Sequence, residues 1–162
     1  MGKYKIRPIE PQDDRAVERV IRDCLREFGA DHAGTAWADP DLCRLSQVYD
    51  TPDSCYWVAL DGSETVVGGV GIGPLHGVAN VCELQKLYCI PSVRGTGAAH
   101  QLMEEAIAFA RSRYRACYLE TLSDMHAARR FYEKYGFRRI DRPLGNTGHY
   151  NCDVRYLLPF PE

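Results

Sequence analysis

What this chain lacks narrows its function before any motif is read. No apolar run approaches the roughly 18 residues that a membrane-spanning helix needs. Neither sign of charge dominates, with 20 Lys and Arg against 22 Asp and Glu and a net charge of −2. Without a basic excess, neither a nucleic-acid nor a membrane partner is expected. The seven cysteines and five histidines include no CxxC pair and no paired histidine spacing, so no metal is expected. Cys24, Cys43, Cys55, Cys82, Cys89, Cys117 and Cys152 are odd in number and scattered, and most stand in apolar runs such as SCYWVAL and ACYLE. They read as reduced, mostly buried thiols. The opening MGKYKIRPIEPQDD has no apolar signal core and turns acidic at once, which predicts a cytoplasmic protein.

The composition that is present is ordinary for a globular chain: 45% hydrophobic and 26% charged over 162 residues. That length suits one domain, 1–162, with a substantial core. Along the chain, KYKIR alternates as a first strand. Val17, Val20, Ile21, Cys24, Leu25 and Phe28 then follow the spacing of one helix face, with Gly29 placed to stop it. Asp39-Pro40 reads as a second helix start, leading to Leu42, Leu45 and Tyr49. The intervening ADHAGTAWA reads as a poorly packed loop near a substrate. Residues 54–60 and 65–72 form two strands around an Asp61-Gly62 hairpin, the second dense in glycine, which marks a bulge or a close approach.

The stretch ELQKLYCIPSVRGTGAAHQLM, residues 83–103, is the centre of the chain. A strand is broken by Pro91, passes through Arg94-Gly95-Thr96-Gly97-Ala98-Ala99, and opens directly into a helix. Glycines let backbone N–H groups face outward, and the helix N-terminus adds partial positive charge. Together they make a site for phosphate or pyrophosphate. No GxxxxGK[ST] occurs, and no dinucleotide fingerprint opens an N-terminal strand–helix unit, which disfavours a nucleotide-binding protein. Residues 117–122 form a buried strand, and Ser123 is placed to cap a fourth helix with Met125, Ala128, Phe131, Tyr132 and Tyr135 on one face. Strands at 137–140 and 150–157 close the chain around a turn-rich RPLGNTGH.

The element order, with VRGTGAAHQLM and AARRFYEKYGF in their places, resembles the GNAT superfamily of acyl-CoA-dependent N-acetyltransferases. Its pyrophosphate signature is met by Arg94, Gly97 and Ala99, and its second signature by Ala128, Phe131, Tyr132, Gly136 and Phe137. The resemblance implies an α/β chain of the α+β type. Its central sheet would be mixed and mostly antiparallel, splayed at a parallel strand pair and flanked by about four helices. It implies acetyl-CoA as co-substrate, with Leu87, Tyr88 and Cys89 along the pantetheine arm. Arg94, Gly95, Thr96, Gly97, Ala98 and Ala99 would lie at the pyrophosphate.

Glu83, eleven residues before Arg94, holds the place of a general-base glutamate, or else forms an ion pair with Lys86. Tyr132 matches the tyrosine facing the thioester sulfur. Where many members carry a cofactor-supporting asparagine, this chain has Met125. His149 and Asn146, in the turn that closes the acceptor pocket, and Phe28 and His32, in the helical cap, are candidate substrate contacts. Cys89 and Cys117 have no histidine partner in sequence and read as buried thiols rather than acyl-enzyme nucleophiles. The implied function is acetyl transfer from acetyl-CoA to a primary amine by direct attack. Phe28, Trp37, Tyr49 and Tyr150, read as an aromatic cap, favour a small-molecule acceptor, and homodimers are common in such folds. A non-catalytic acyl-CoA sensor and a protein or peptide amine acetyltransferase are the alternatives.

Overall fold

The computed structural model describes residues 3–161. Its strands are β1 (Lys5–Pro8), β2 (Cys55–Leu60), β3 (Val66–Pro74), β4 (Val81–Cys89), β5 (Ala116–Thr121), β6 (Arg138–Ile140) and β7 (Val154–Pro159). They form one mixed sheet in the order β1-β2-β3-β4-β5-β7-β6, with only β4 and β5 parallel. The helices are α1 (Asp14–Glu27), α2 (Leu45–Val48), α3 (Ala98–Arg111) and α4 (His126–Tyr135). Strand alternation sends neighbouring side chains to opposite layers. From β2, Tyr56, Val58 and Leu60 pack with Val17, Ile21, Leu25 and Leu45 of α1 and α2. Trp57 and Ala59 pack with Leu102, Met103 and Ala106 of α3. The α+β class, the parallel pair and the four helices match the sequence expectation.

Two features of β4 shape the site. Its pairing with β5 ends at Glu83↔Tyr118, whereas its pairing with β3 continues to Cys89. The parallel pair therefore splays just beyond Glu83, leaving the following peptide edge without a strand partner. Within the same stretch, the register shifts between Gly69 and Gly71, and Lys86 takes φ 53°. A non-glycine residue in this region signals a bulge under constraint. The Tyr56 hydroxyl holds it by donating to the Lys86 carbonyl at 2.9 Å. The glycine density of β3 answers to these rings. A Cβ on Gly69 would stand 2.5 Å from the Tyr56 ring, and one on Gly71 would stand 2.7 Å from Tyr49.

Several local expectations change. Asp39-Pro40 starts no helix; only the short α2 follows, and Asp39 is drawn to Lys86 and His149 instead. Ser123 does not cap α4: the helix begins at His126 with Met125 at its N-cap, and Ser123 stands before that turn with its backbone N–H donating to Asp153 at 2.8 Å. The last strand begins at Val154 rather than Tyr150, since residues 150–153 turn to meet the loop over the sheet. That loop packs well: Ala30, Thr35 and Ala36 are buried, and the Thr35 hydroxyl donates to the carbonyl of Ala30 at 2.8 Å.

Candidate active site

Two cavities open where β4 leaves β5. The smaller, about 60 Å³, is enclosed by residues of the splayed strands together with Leu25, Thr35 and Ala36 from the α1 side. Glu83, Glu120, His149 and Cys152 supply its polar wall. The larger, about 450 Å³, runs from the end of β4 to the start of α3 and is mostly apolar, with Leu87, Phe131 and Ala128 in its wall. Leu87, Tyr88, Met125 and Tyr132 line both.

Glu83 is 7% exposed. Alternation along β4 puts it and Gln85 on the α1–α2 face, and the Gln85 amide donates to its carboxylate at 2.7 Å. Gln85 in turn accepts from the Tyr49 hydroxyl at 2.5 Å. Burial raises the pKa of Glu83, and Glu120 adds to this, against the opposing pull of Gln85, His149 and Lys86. The ion pair with Lys86 does not form; the bulge turns Lys86 to Asp39 at 2.6 Å. Asp39 also accepts from His149 Nε2 at 2.9 Å. Burial opposes ionisation of Asp39, but the His149 and Lys86 bonds outweigh it and leave its pKa below the usual range.

Tyr132 reaches the same space from the other layer. It is buried against Phe131, Phe137 and Tyr156, and burial raises its pKa. Met125 stands in both cavities and accepts a weak bond from the Thr121 hydroxyl. Cys89 lines the larger cavity and Cys152 the smaller; burial pushes each thiol up to about 12. Cys117 is fully buried and away from both.

At the far end of the larger cavity, Gly95 and Gly97 take φ 75° and 97°, with open space where a Cβ would stand. The first intrahelical bond of α3 runs from Gln101 N–H to the Gly97 carbonyl, so the preceding N–H groups at the helix mouth have no intrahelical acceptor. Bare N–H groups, open space and an apolar channel fit a diphosphate with a long arm. Arg94 donates to the Cys89 carbonyl at 3.1 Å and lies over Phe28. Its guanidinium forms a two-pronged pair with Glu27 at 2.6 and 2.8 Å, which lowers the Glu27 pKa.

The remaining expected contacts are dispersed. Phe28 lies in the larger cavity, beside Arg94 and away from His149. His32 is exposed, with Nδ1 against the Ala33 carbonyl. Asn146 is exposed and accepts from its neighbour Gly148. Nor does an aromatic cap form over the smaller cavity. Trp37 lies under Arg22 and Arg26, Tyr49 is buried behind Gln85, and Tyr150 is 75% exposed. The cover comes instead from two loops clasped together, with Asn151 donating to the Gly34 and Ala33 carbonyls at 3.0 and 2.6 Å. Sequence reasoning missed Glu120 and Asp39. Glu120 had a signal, being the one charged residue in an otherwise apolar buried strand.

A splayed parallel pair, a glycine-mouthed helix and a buried carboxylate at the splay are the arrangement that the resemblance to acyl-CoA-dependent transferases implies. The acetyltransferase (GNAT) family model matches residues 16–137. The chain is 46% identical to an uncharacterized N-acetyltransferase, YjgM, of Escherichia coli K12, over 94% of this chain and 92% of that one. It is also 32% identical to N-acetylaspartate synthetase of Danio rerio, over 62% of this chain and 36% of that one. Among solved structures, a GNAT-family acetyltransferase from Staphylococcus aureus Mu50 superposes with a TM-score of 0.83 at 20% identity, covering 98% and 99% of the two chains. PaiA N-acetyltransferase of Thermoplasma acidophilum, solved with coenzyme A, gives 0.77 at 18% identity, covering 99% and 100%. The chain belongs to the GNAT family and is an N-acetyltransferase. No helix among the described residues is long and apolar enough to cross a membrane.

Proposed function

We propose that this enzyme transfers acetyl from acetyl-CoA to the primary amine of a small molecule, by direct attack in a ternary complex. One observation carries the reading: Tyr132 lines both cavities, while buried Glu83 lines the smaller. The larger cavity takes the co-substrate. Its pantetheine arm follows the freed edge of β4 at Leu87, Tyr88 and Cys89. Its pyrophosphate meets the N–H groups of residues 95–99, and Arg94 exchanges Glu27 for a phosphate.

An amine arrives as ammonium and loses a proton before its lone pair can attack. Glu83 takes that proton. The new N–C bond forms as the C–S bond breaks, and the departing sulfur receives a proton from Tyr132. The proton that nitrogen sheds on becoming an amide restores the phenol. The raised pKa of Tyr132 keeps it protonated until sulfur needs the proton. Direct attack is supported by the thiols in the walls, Cys89 and Cys152, which are held neutral and supply no thiolate. A small acceptor is supported by the tight enclosure of the smaller cavity.

The test is thiol release over a panel of amines and peptides. Glu83→Gln is expected to lower kcat/KM by about 10²- to 10⁴-fold, with coenzyme A affinity unchanged by calorimetry. Because Glu83 acts ionised and burial raises its pKa, kcat/KM falls with acid at a pH above that of an ordinary glutamate. Coenzyme A binding without turnover anywhere in the panel overturns the reading and favours a sensor.

A further inference from the structure

Two carboxylates meet at the splay with no cation between them. One oxygen each from Glu83 and Glu120 and one ring nitrogen of His149 lie within 4.8 Å of one another. Their own partners are uncharged. Gln85 donates to Glu83, and the hydroxyls of Tyr118 (2.6 Å) and Thr147 donate to Glu120. Lys86 and His149 also line the cavity, but both turn their nitrogens to Asp39. Arg155 stands opposite Glu120 in the β5–β7 register, outside the cavity wall. Among the described residues, neither Glu83 nor Glu120 forms an ion pair.

Register explains why they meet. Glu83 pairs with Tyr118 at the last rung of the parallel ladder. Glu120, two residues on, faces the same way, at the point where the strands part. Like charges this close, one buried and one half-buried, oppose each other unless one carboxyl takes a proton or a positive group enters. That group must fit a small enclosure whose other walls include Leu25, Ala36 and Leu122. A primary ammonium on a short alkyl chain has the charge, the donors and the size.

We propose that Glu120 is a second catalytic carboxylate: with Glu83 it seats the acceptor ammonium, and the pair selects amines that carry no carboxylate beside the nitrogen. The proposal rests on the acetyl-transfer reading above. An α-carboxylate would be forced against Glu83 and Glu120, while Lys86 and His149 in the same wall are already bonded to Asp39. Glu83 is faced by Tyr118 and Glu120 from β5, by Gln85 and Lys86 from its own strand, by Tyr49 beyond α2, and by His149 and Cys152 from the last loop. Glu120 is the carboxylate neighbour that raises its pKa.

The experiment is thiol release from acetyl-CoA with 1-propylamine, 2-aminoethanol and 1,4-diaminobutane set against glycine, L-alanine and L-aspartate. The cationic amines are expected to lead the amino acids by about tenfold or more in kcat/KM. Glu120→Gln, which keeps an acceptor for one of the two hydroxyls and offers an N–H to the other, is expected to raise the amine KM by about tenfold. It leaves the acetyl-CoA KM alone and moves the acid limb of the pH profile down, because Glu83 loses a negative neighbour. Glu120→Asp withdraws the carboxylate but keeps its charge, so the amine KM rises while the acid limb stays.

Preference for the amino acids, or an unchanged amine KM in Glu120→Gln with turnover intact, overturns this proposal and leaves acetyl transfer standing. Calorimetric binding of Zn²⁺ that is lost in Glu120→Gln, with amine kinetics unmoved, overturns it in favour of a metal site. Coenzyme A binding with no turnover of any acceptor overturns both.

Discussion

The two cavities that share Tyr132 are built on opposite plans. The larger is mostly backbone and apolar wall: one side is a single stretch of chain, from the end of β4 through the turn to the mouth of α3, and the other is the apolar flank of α4, with Phe28 at the edge. The smaller gathers polar side chains from β4, β5 and two loops among apolar ones, and its His149 is bonded to Asp39 across 110 positions. A backbone site constrains where Cβ atoms are absent. A side-chain site constrains which heads are present and how they are braced. Glu83 is braced through Gln85 by Tyr49, whose own position depends on bare Gly71 behind it.

Substitutions that exchange the two plans sharpen the contrast. The largest effect is expected from Gly71→Val, which drives a side chain into Tyr49 and Tyr56 and costs about 1–3 kcal/mol of stability in overpacking. Acceptor turnover then falls by more than coenzyme A affinity does, as read by denaturation, kinetics and calorimetry together. Equal losses on both sides would break the division.

Gly97→Val comes next. The left-handed position makes a side chain cost about 1–2 kcal/mol, and the branched Cβ stands in the open space at the helix mouth. Coenzyme A affinity is expected to fall by about tenfold, with the pH limb assigned to Glu83 unmoved. The smallest effect belongs to Glu27→Gln. The Arg94–Glu27 pair is more than a third exposed on both sides, so its loss changes stability by about 1 kcal/mol or less. Freed from Glu27, Arg94 should bind coenzyme A slightly more tightly in calorimetry. A weaker complex would show that Glu27 positions Arg94 rather than competing for it.

The same contrast explains what could be read in advance. VRGTGAAHQLM states its geometry within one short stretch, so the turn, the bare N–H groups and the following helix were legible. Glu83, by its spacing from Arg94, and Tyr132, by its place in AARRFYEKYGF, were candidates through the family resemblance, and both stand in cavity walls. Asp39 looked like a helix cap, because Asp-Pro is a good local start signal; long-range pairing with Lys86 and His149 overrode it. Ser123 likewise looked like a cap, but the N-cap of α4 falls two residues later than the local signal placed it, at Met125. The aromatic residues grouped as a cap were separated because each found a different layer. Phe28 went to Arg94, Trp37 to two arginines and Tyr49 to the interior.

By itself, the sequence determined the strand–turn–helix that offers an anion its backbone, since glycine placement and helix polarity act over a few residues. It also determined the alternation that sends Glu83 to one face of the sheet. Only the tertiary structure decided that β4 and β5 part company at Glu83↔Tyr118. That parting sets Glu120 beside Glu83, lets Tyr132 meet them from the other layer, and leaves Asp39 holding Lys86 and His149. Those placements depend on strand register and loop closure between distant segments, and no local spacing encodes which side chains will share one small enclosure.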